Sequence, residues 1–164
     1  MKLFHASDTL IEKPDIFHSR HNLDFGVGFY LTRMEDQAVK YARRFTALGK
    51  TAYIHTYEFN LYPQFKTLTF DSYSADWLKF VCNCRSGEKD YAAFDIIEGG
   101  VANDKVFRTV ELFMSGIYTA EQALQQLIYQ KPNHQVCFVN QDAIDTCLEF
   151  IGCYKIKPEA NGED

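Results

Sequence analysis

The stretch DFGVGFYLTRMEDQAVKY, residues 24–41, changes its hydrophobic period halfway along and decides the fold. Its first half contains VGFYLT, 27–32, an apolar and aromatic run that is typical of a buried strand. Its second half belongs to a pattern over 34–48 in which apolar residues recur at three- and four-residue spacing, which indicates a helix. The stretch therefore predicts a strand that carries Tyr30, followed directly by an amphipathic helix that carries Tyr41.

The same reasoning, applied outward, predicts five further strands and three further helices. The strands are expected at 2–7, 51–61, 92–100, 134–140 and 146–156, and the helices at 74–85, 103–116 and 119–128. The last helix has a clear start, because Thr119 and Gln122 stand at capping-box spacing. Strands and helices do not alternate strictly, so the pattern predicts an α+β fold. We expect a single domain over 1–157 and a frayed polar tail over 158–164.

Composition and charge exclude several classes of protein. The chain has 164 residues, of which 46% are hydrophobic and 24% charged, and these values argue against disorder and against membrane-spanning segments. A net charge of −5 gives no strong signal for nucleic-acid binding. The start of the chain lacks the pattern of a signal peptide, so we expect a cytoplasmic protein with no membrane partner.

The cysteines give no pattern of a disulfide framework or a metal site. They stand at positions 82, 84, 137, 147 and 153, and an odd number without a secretion signal indicates reduced thiols. A structural zinc site usually combines two tight pairs of ligands, whereas here Cys82 and Cys84 have no matching second pair. We therefore expect no metal.

The order of motifs along the chain resembles that of a known superfamily. HAS at 5–7 comes first, FGVGFY at 25–30 follows, and Tyr41 stands eleven residues after Tyr30. This arrangement resembles the ADP-ribosyltransferase superfamily, in the branch typified by diphtheria toxin and the poly(ADP-ribose) polymerases. More narrowly, DFGVGFYLT, FDIIEGGVAND and HQVCFVNQDAI resemble a bacterial family of unknown function, number 3990, over nearly the whole chain. The resemblance implies an ADP-ribosyltransferase-like split β-sheet with flanking helices.

The resemblance also implies that NAD+ is a co-substrate and assigns residues to its nicotinamide end. Tyr41 would stack on one face of the nicotinamide ring, and Tyr30 would line the other. His5 would hydrogen-bond a ribose hydroxyl. The backbone of Ala6 would hold the carboxamide, and Ser7 completes this binding motif.

The loop before the second strand would serve the rest of the nucleotide. Gly26 and Gly28 would allow a positive φ or a close approach of the backbone to the ligand. Ser19 and Arg20 would meet the pyrophosphate, because the guanidinium fork matches phosphate oxygens. Each residue alone has an ordinary structural explanation, and their joint order and spacing favour the ADP-ribosyltransferase interpretation.

The clearest departure from the family concerns its third catalytic residue, usually a Glu in a late strand. Here the strand at 134–140 offers Gln135, and Glu149 lies farther along as an alternative. Variants with His-Tyr-Gln are recognised in the superfamily, so the resemblance implies a catalytic set of His5, Tyr41 and Gln135. A glutamine can bond a ribose hydroxyl but cannot act as a base. We expect its side chain, at a strand end, to contribute little to the core.

Four further polar residues stay open between a structural role and a ligand contact. Asp95, Asn103 and Asp104 flank the Gly-Gly turn and would form a turn and helix cap or contact substrate at the cleft rim. Arg85 would be a charge at a helix end or a phosphate partner.

The leading functional interpretation is a mono-ADP-ribosyltransferase of toxin or phage-defence type. Its partners would be NAD+, an acceptor macromolecule of unknown identity and a neutralising protein. The first alternative is a catalytically silent module that binds NAD+ or ADP-ribose and acts through a protein partner. The second is an RNA 2′-phosphotransferase, whose Arg and His motifs are not apparent in the chain.

Overall fold

Two β-sheets with flanking helices make up residues 1–158, the part of the chain that the computed structural model describes. The strands are β1 (Lys2–Ser7), β2 (Phe29–Leu31), β3 (Ala52–Phe59), β4 (Thr67–Thr69), β5 (Ile96–Gly99), β6 (Gln135–Phe138) and β7 (Leu148–Ile156). The helices are α1 (Glu35–Thr46), α2 (Ala75–Arg85), α3 (Asp104–Met114), α4 (Ala120–Leu127) and α5 (Gln141–Cys147), with a 3-10 turn at Asp90–Ala93. The α+β class predicted from the sequence is confirmed.

A single backbone bridge connects the two sheets within residues 1–158. One sheet has the order β1-β3-β7 and is antiparallel throughout. The other has the order β2-β6-β5-β4, in which only the β4–β5 pair is parallel. Between them, Phe4 of β1 and Thr32 after β2 exchange two backbone hydrogen bonds of 2.8 and 2.9 Å. Within residues 1–158 the backbones of the two sheets are therefore bridged at this point alone.

Three apolar clusters hold this arrangement together. Helices α2, α3 and α4 cover one face of the four-stranded sheet, with Trp77 and Val110 fully buried. The opposite face packs against β1, β3 and α5, where Tyr57 and Phe138 are fully buried. Helix α1 covers the three-stranded sheet through small residues such as Ala42. Since β6 is buried on both faces, its sequence is a continuous apolar run after Gln135.

The element bounds mostly follow the sequence signals. Thr119 and Gln122 form the expected capping box, and Gly49, with a φ of +74°, follows the end of α1. Neither β4 nor α5 was predicted from the sequence. Helix α5 begins after Asn140, whose side chain accepts a hydrogen bond from the backbone N–H of Asp142 at 2.9 Å. The tail expected at 158–164 lies, beyond residue 158, outside the described residues.

Candidate functional site

The opening between β1 and β2 is the feature around which the candidate site is built. Beyond the Phe4–Thr32 bridge, a continued antiparallel register would set Ala6 against Tyr30. Instead, the Nδ1 atom of His5 lies 2.6 Å from the carbonyl oxygen of Tyr30. Alternate residues of a strand direct their N–H and C=O groups to the same edge, so Ala6 presents both groups on the edge where Phe4 meets Thr32. The backbone of Ala6 therefore faces this opening.

His5 is held neutral in the opening. Its Nδ1 must carry the proton, since it faces a carbonyl oxygen, which leaves Nε2 as an acceptor with no partner within residues 1–158. The ring packs 4.5 Å from the ring of Phe29, centroid to centroid. Burial, aided by the neighbouring His55, lowers the pKa of His5 to about 4, against the raising effect of the Tyr30 carbonyl. Near neutral pH, His5 thus offers an imidazole acceptor suited to a hydroxyl.

A second histidine, not identified from the sequence, supports the first. His55 of β3 is fully buried, accepts a hydrogen bond from the N–H of Ile11 at 2.9 Å and donates from Nδ1 to the His5 carbonyl at 3.1 Å. Tyr57 donates its hydroxyl to the Ile11 carbonyl at 2.5 Å. Burial lowers the pKa of His55. The sequence feature that could have identified His55 is a histidine at an inward position of an alternating apolar strand. Through these hydrogen bonds His55 holds the loop after β1 against the backbone of His5.

Tyr30 meets His5 through its backbone and not through its ring. Its hydroxyl donates to the Gly26 carbonyl at 2.6 Å and accepts from the N–H of Phe25 at 3.1 Å. The ring packs on the cluster that contains Cys137, and burial raises the pKa of the phenol well above its usual value. Because successive strand residues point to opposite faces, this ring lies on the other face of β2 from Phe29. Its role against a nicotinamide ring stays a prediction.

Tyr41 is accessible from solvent. Its residue exposure is 41%, although α1 packs on the three-stranded sheet through Ala38 and Ala42. The guanidinium carbon of Arg44 lies 4.9 Å from its ring centroid, and the ring of Phe45 is 5.9 Å away. A flat ligand ring that stacked on Tyr41 would share it with, or displace, this guanidinium.

Gln135 belongs to a buried polar network. It is 7% exposed, and its Nε2 donates to the Asp24 carboxylate at 3.1 Å and to the Gly100 carbonyl at 3.0 Å. These two acceptors fix the orientation of the amide and leave Oε1 without a hydrogen-bond partner within residues 1–158. The expectation that Gln135 contributes little to the core is wrong, because its side chain ties β6 to the turn after β5.

Asp24 is the centre of the network and was not identified as a site residue from the sequence. It is 5% exposed and accepts hydrogen bonds from Arg85 at 2.8 and 2.5 Å and from the N–H of Ala102 at 2.8 Å. The guanidinium carbon of Arg85 also lies 4.7 Å from the ring centroid of Phe107. Of the two roles considered for Arg85, the structure supports the structural one: it neutralises a buried carboxylate.

The two glycines of the stretch are explained by contacts within the protein. Gly26 has a φ of +77°, and a Cβ there would lie 2.0 Å from the ring of Tyr91. A Cβ on Gly28 would lie 2.5 Å from the Cys137 sulfur and 2.5 Å from the Phe138 carbonyl oxygen. The close backbone approach that these glycines permit is therefore to β6 and to the 3-10 turn.

The remaining polar residues of the predicted site, Ser7 at the end of β1 and Ser19 and Arg20 in the loop before β2, lie near the surface. The hydroxyl of Ser7 accepts from the N–H of Thr9 at 3.1 Å. Ser19 accepts from the N–H of Gly28 at 3.0 Å and donates to the Arg20 carbonyl at 3.0 Å. The side chain of Arg20 is exposed. Arg20 is therefore an exposed cation next to Ser19, which bonds the backbone just before β2.

The other candidates separate into structural and exposed residues. Asp95 accepts from the N–H of Lys66 and from Asn140, both at 2.7 Å, which is a structural role. Asn103 stands at the N-cap of α3 but makes no capping bond with its side chain, and Asp104 has a φ of +48°. Glu149, the alternative catalytic residue, is exposed on β7 opposite Glu58.

A further ionic cluster lies on the four-stranded sheet, on the face opposite to the side chain of Gln135. Glu98 of β5 is within 2.7 Å of the Nε2 atom of His134 and 2.6 Å of the Arg33 guanidinium. The N–H of Arg33 donates to Nδ1 of His134 at 3.1 Å, so Nε2 carries the proton that faces Glu98. The hydrogen bond from His134, together with Arg33, holds the pKa of Glu98 below its usual value. This cluster was not identified from the sequence, although Glu98 lies within the stretch FDIIEGGVAND.

Two shallow surface concavities lie elsewhere on the described residues, and the predicted NAD+ residues line neither of them. The larger, of about 590 Å³, is lined by residues between Leu68 and Phe94. The smaller, of about 160 Å³, lies beside Glu98 and Phe59. Neither concavity includes His5, which lies at the opening between the two sheets.

Comparison with known proteins places the chain in a family. Residues 1–150 match the family described as "Protein of unknown function (DUF3990)", and the chain belongs to it. No curated protein and no solved structure matches the chain.

Three general features complete the description of the site. All five cysteines are free thiols, and only Cys153 is exposed. Within residues 1–158, His, Cys, Asp and Glu form no group of three or more that could hold a metal ion. In the same part of the chain, every helix is too short or too polar to cross a membrane.

Proposed function

We propose that the chain is an NAD+-dependent mono-ADP-ribosyltransferase with an ADP-ribosyltransferase-like split sheet. The observation that carries the proposal is the opening between β1 and β2, where His5 caps the Tyr30 carbonyl and the Ala6 backbone faces outward. The first two motifs that suggested the family lie together at this opening. His5 and Ala6 belong to one sheet, and Tyr30 belongs to the other. A split sheet joined at a single bridge supplies such an edge.

The residues present suit the nicotinamide end of the nucleotide. The backbone N–H and C=O of Ala6 match the acceptor and donor of a carboxamide, and the neutral His5 Nε2 can accept a hydrogen bond from a ribose hydroxyl. Tyr41 offers an accessible ring for stacking. When bound, NAD+ supplies an ADP-ribosyl group attached to a positively charged leaving group. The role of this chain is to orient that group and exclude water around it.

Gln135 decides between this proposal and its alternative. Its Oε1 is free to accept a hydroxyl, but its amide nitrogen is committed to Asp24 and Gly100. A residue held in this way can position a ribose but supplies neither charge nor a base. This observation favours, as the second candidate, a silent module that binds NAD+ or ADP-ribose and acts through a protein partner.

The experiment that separates the two is incubation of the full chain with NAD+ labelled in the adenosine half, in the presence of cell lysate. Transfer predicts label in macromolecules, and separate protease and nuclease digestion identifies the acceptor class. His5→Ala, which removes the proposed ribose contact, should abolish labelling. Binding of NAD+ without consumption would establish the silent module, and absence of both binding and consumption would refute the proposal.

A further inference from the structure

The free edge of the four-stranded sheet is formed by β4, and its outward groups can be identified. On the inner side, the Phe70 N–H donates to the Glu98 carbonyl at 2.8 Å, and the Lys66 carbonyl accepts from Asp95 at 2.8 Å. Alternation along the strand then directs the N–H and C=O groups of Thr67 and Thr69 away from the sheet. An added strand could pair with these groups.

The larger concavity borders one face of this edge and is acidic. Its floor is aromatic, with the rings of Phe70 and Phe80 5.3 Å apart. Its rim carries the exposed carboxylates Asp71, Asp76 and Asp90. Within residues 1–158, no cation forms an ion pair with any of the three. This charge disfavours a pyrophosphate and favours a cationic side chain.

The chain itself shows a cation on this aromatic floor. The Nζ atom of Lys66 lies 4.8 Å from the ring centroid of Phe94, which lines the same concavity. Phenyl faces attract ammonium groups through their quadrupole, and the neighbouring carboxylates strengthen the attraction. A lysine or arginine from outside can therefore find both an aromatic face and an unneutralised acid.

The smaller concavity borders the other face of the same edge and is mainly apolar. Phe59, Leu61 and Ile96 contribute to its lining, and Thr67 and Thr69 close it on the β4 side. Successive residues of an added strand point to opposite faces of the sheet. A segment that alternates basic and apolar residues would place its cations in the acidic concavity and its apolar side chains in this one.

We propose that the β4 edge, with its two concavities, is a docking site for an extended segment of a partner protein in which basic and apolar residues alternate. The segment would add a strand beside Thr67 and Thr69, with cations toward Asp71 and Asp76. Pairing to a three-residue strand offers few hydrogen bonds, so the side-chain contacts carry the specificity. The inference does not depend on the nucleotide chemistry at His5.

The test is fluorescence anisotropy of a labelled, short peptide of alternating lysine and valine, titrated with the full chain. The Asp71→Asn/Asp76→Asn double variant should weaken binding by about fivefold. The matched control is Glu111→Gln/Glu121→Gln, which removes the same charge from exposed positions on α3 and α4 and should leave binding unchanged. Added salt should weaken binding to the wild type more than to the double variant.

A second pair of variants tests the strand pairing itself. Thr69→Pro removes the outward N–H and should weaken binding by about fivefold, whereas Thr69→Val keeps it and should bind as the wild type does. The urea midpoint of each variant verifies that it folds. The proposal is overturned if the wild type does not bind the lysine–valine peptide, or if a glutamate–valine peptide binds equally well. Equal binding by the charge variant and its control, or by the two Thr69 variants, would overturn it as well.

Discussion

Replacement of Asp24 by alanine is the perturbation with the largest expected effect on the fold. The carboxylate is 5% exposed and accepts hydrogen bonds from Arg85, Ala102 and Gln135. Asp24→Ala removes the acceptor and leaves a mostly buried guanidinium and two donors without it. Breaking a buried pair in this way costs about 3–5 kcal/mol, a large fraction of the stability of an ordinary domain.

Urea denaturation, followed by tryptophan fluorescence, measures this loss, because the indole N–H of Trp77 donates to the Gly100 carbonyl within the same network. Asp24→Asn retains an oxygen for the Ala102 N–H and should lose about half as much stability as Asp24→Ala, so it keeps the test readable if the alanine variant does not fold. Glu88→Ala, at an exposed position, should change stability by less than about 0.5 kcal/mol. If Asp24→Ala and Glu88→Ala unfold at similar urea concentrations, the network does not stabilise the fold.

Three further outcomes follow from contacts described above. The pKa of His5 is about 4 in the folded protein and 6.5 in the unfolded chain, so stability should fall as the pH drops from 6.5 towards 4. Between pH 7.5 and pH 5 the loss of stability due to His5 is about 2 kcal/mol. Urea unfolding of His5→Gln at these two pH values should lack this contribution. Gln135→Ala should lose about 1–2 kcal/mol. Gln135→Glu should lose more, since it sets a second carboxylate against Asp24, and thermal unfolding that ranks the two variants in the opposite order would contradict the network geometry. Gly28→Ala should cost about 1–3 kcal/mol, because its Cβ would lie 2.5 Å from the Cys137 sulfur, while Gly152→Ala, with open space around it, should be nearly neutral in urea.

The parts of the fold that could be predicted are those with a strong local signal. The change of period within 24–41 located β2 and α1, and the capping residues located the start of α4. Strand β4 was missed because three residues, TLT, carry no detectable period. Helix α5 was missed because its seven residues run directly into β7, and the apolar pattern of the strand dominated the interpretation of that region.

The motifs of the candidate site could be placed along the chain from the sequence, but the hydrogen-bond partners of its residues could not. His5 and Ala6 could be placed at the end of a strand, and the structure puts them at an opening between sheets. The partners of Gln135, Asp24 and Gly100, could not be predicted, because they come from distant parts of the chain and meet only through tertiary packing. The same holds for Arg85, which pairs with Asp24. Sequence spacing carries no information on such contacts, and so a buried network was interpreted as a strand-end side chain.

The most direct measurement of the central claim is calorimetric titration of NAD+ into the full chain and two tyrosine variants. Tyr41→Ala should weaken binding by an amount on the order of 1 kcal/mol, the size of a stacking contact, with little change in stability because the ring is 41% exposed. Tyr129→Ala, at a tyrosine that is 81% exposed, should bind NAD+ as the wild type does. A folded wild type that does not bind NAD+, or equal affinities for the wild type and Tyr41→Ala, would contradict the account.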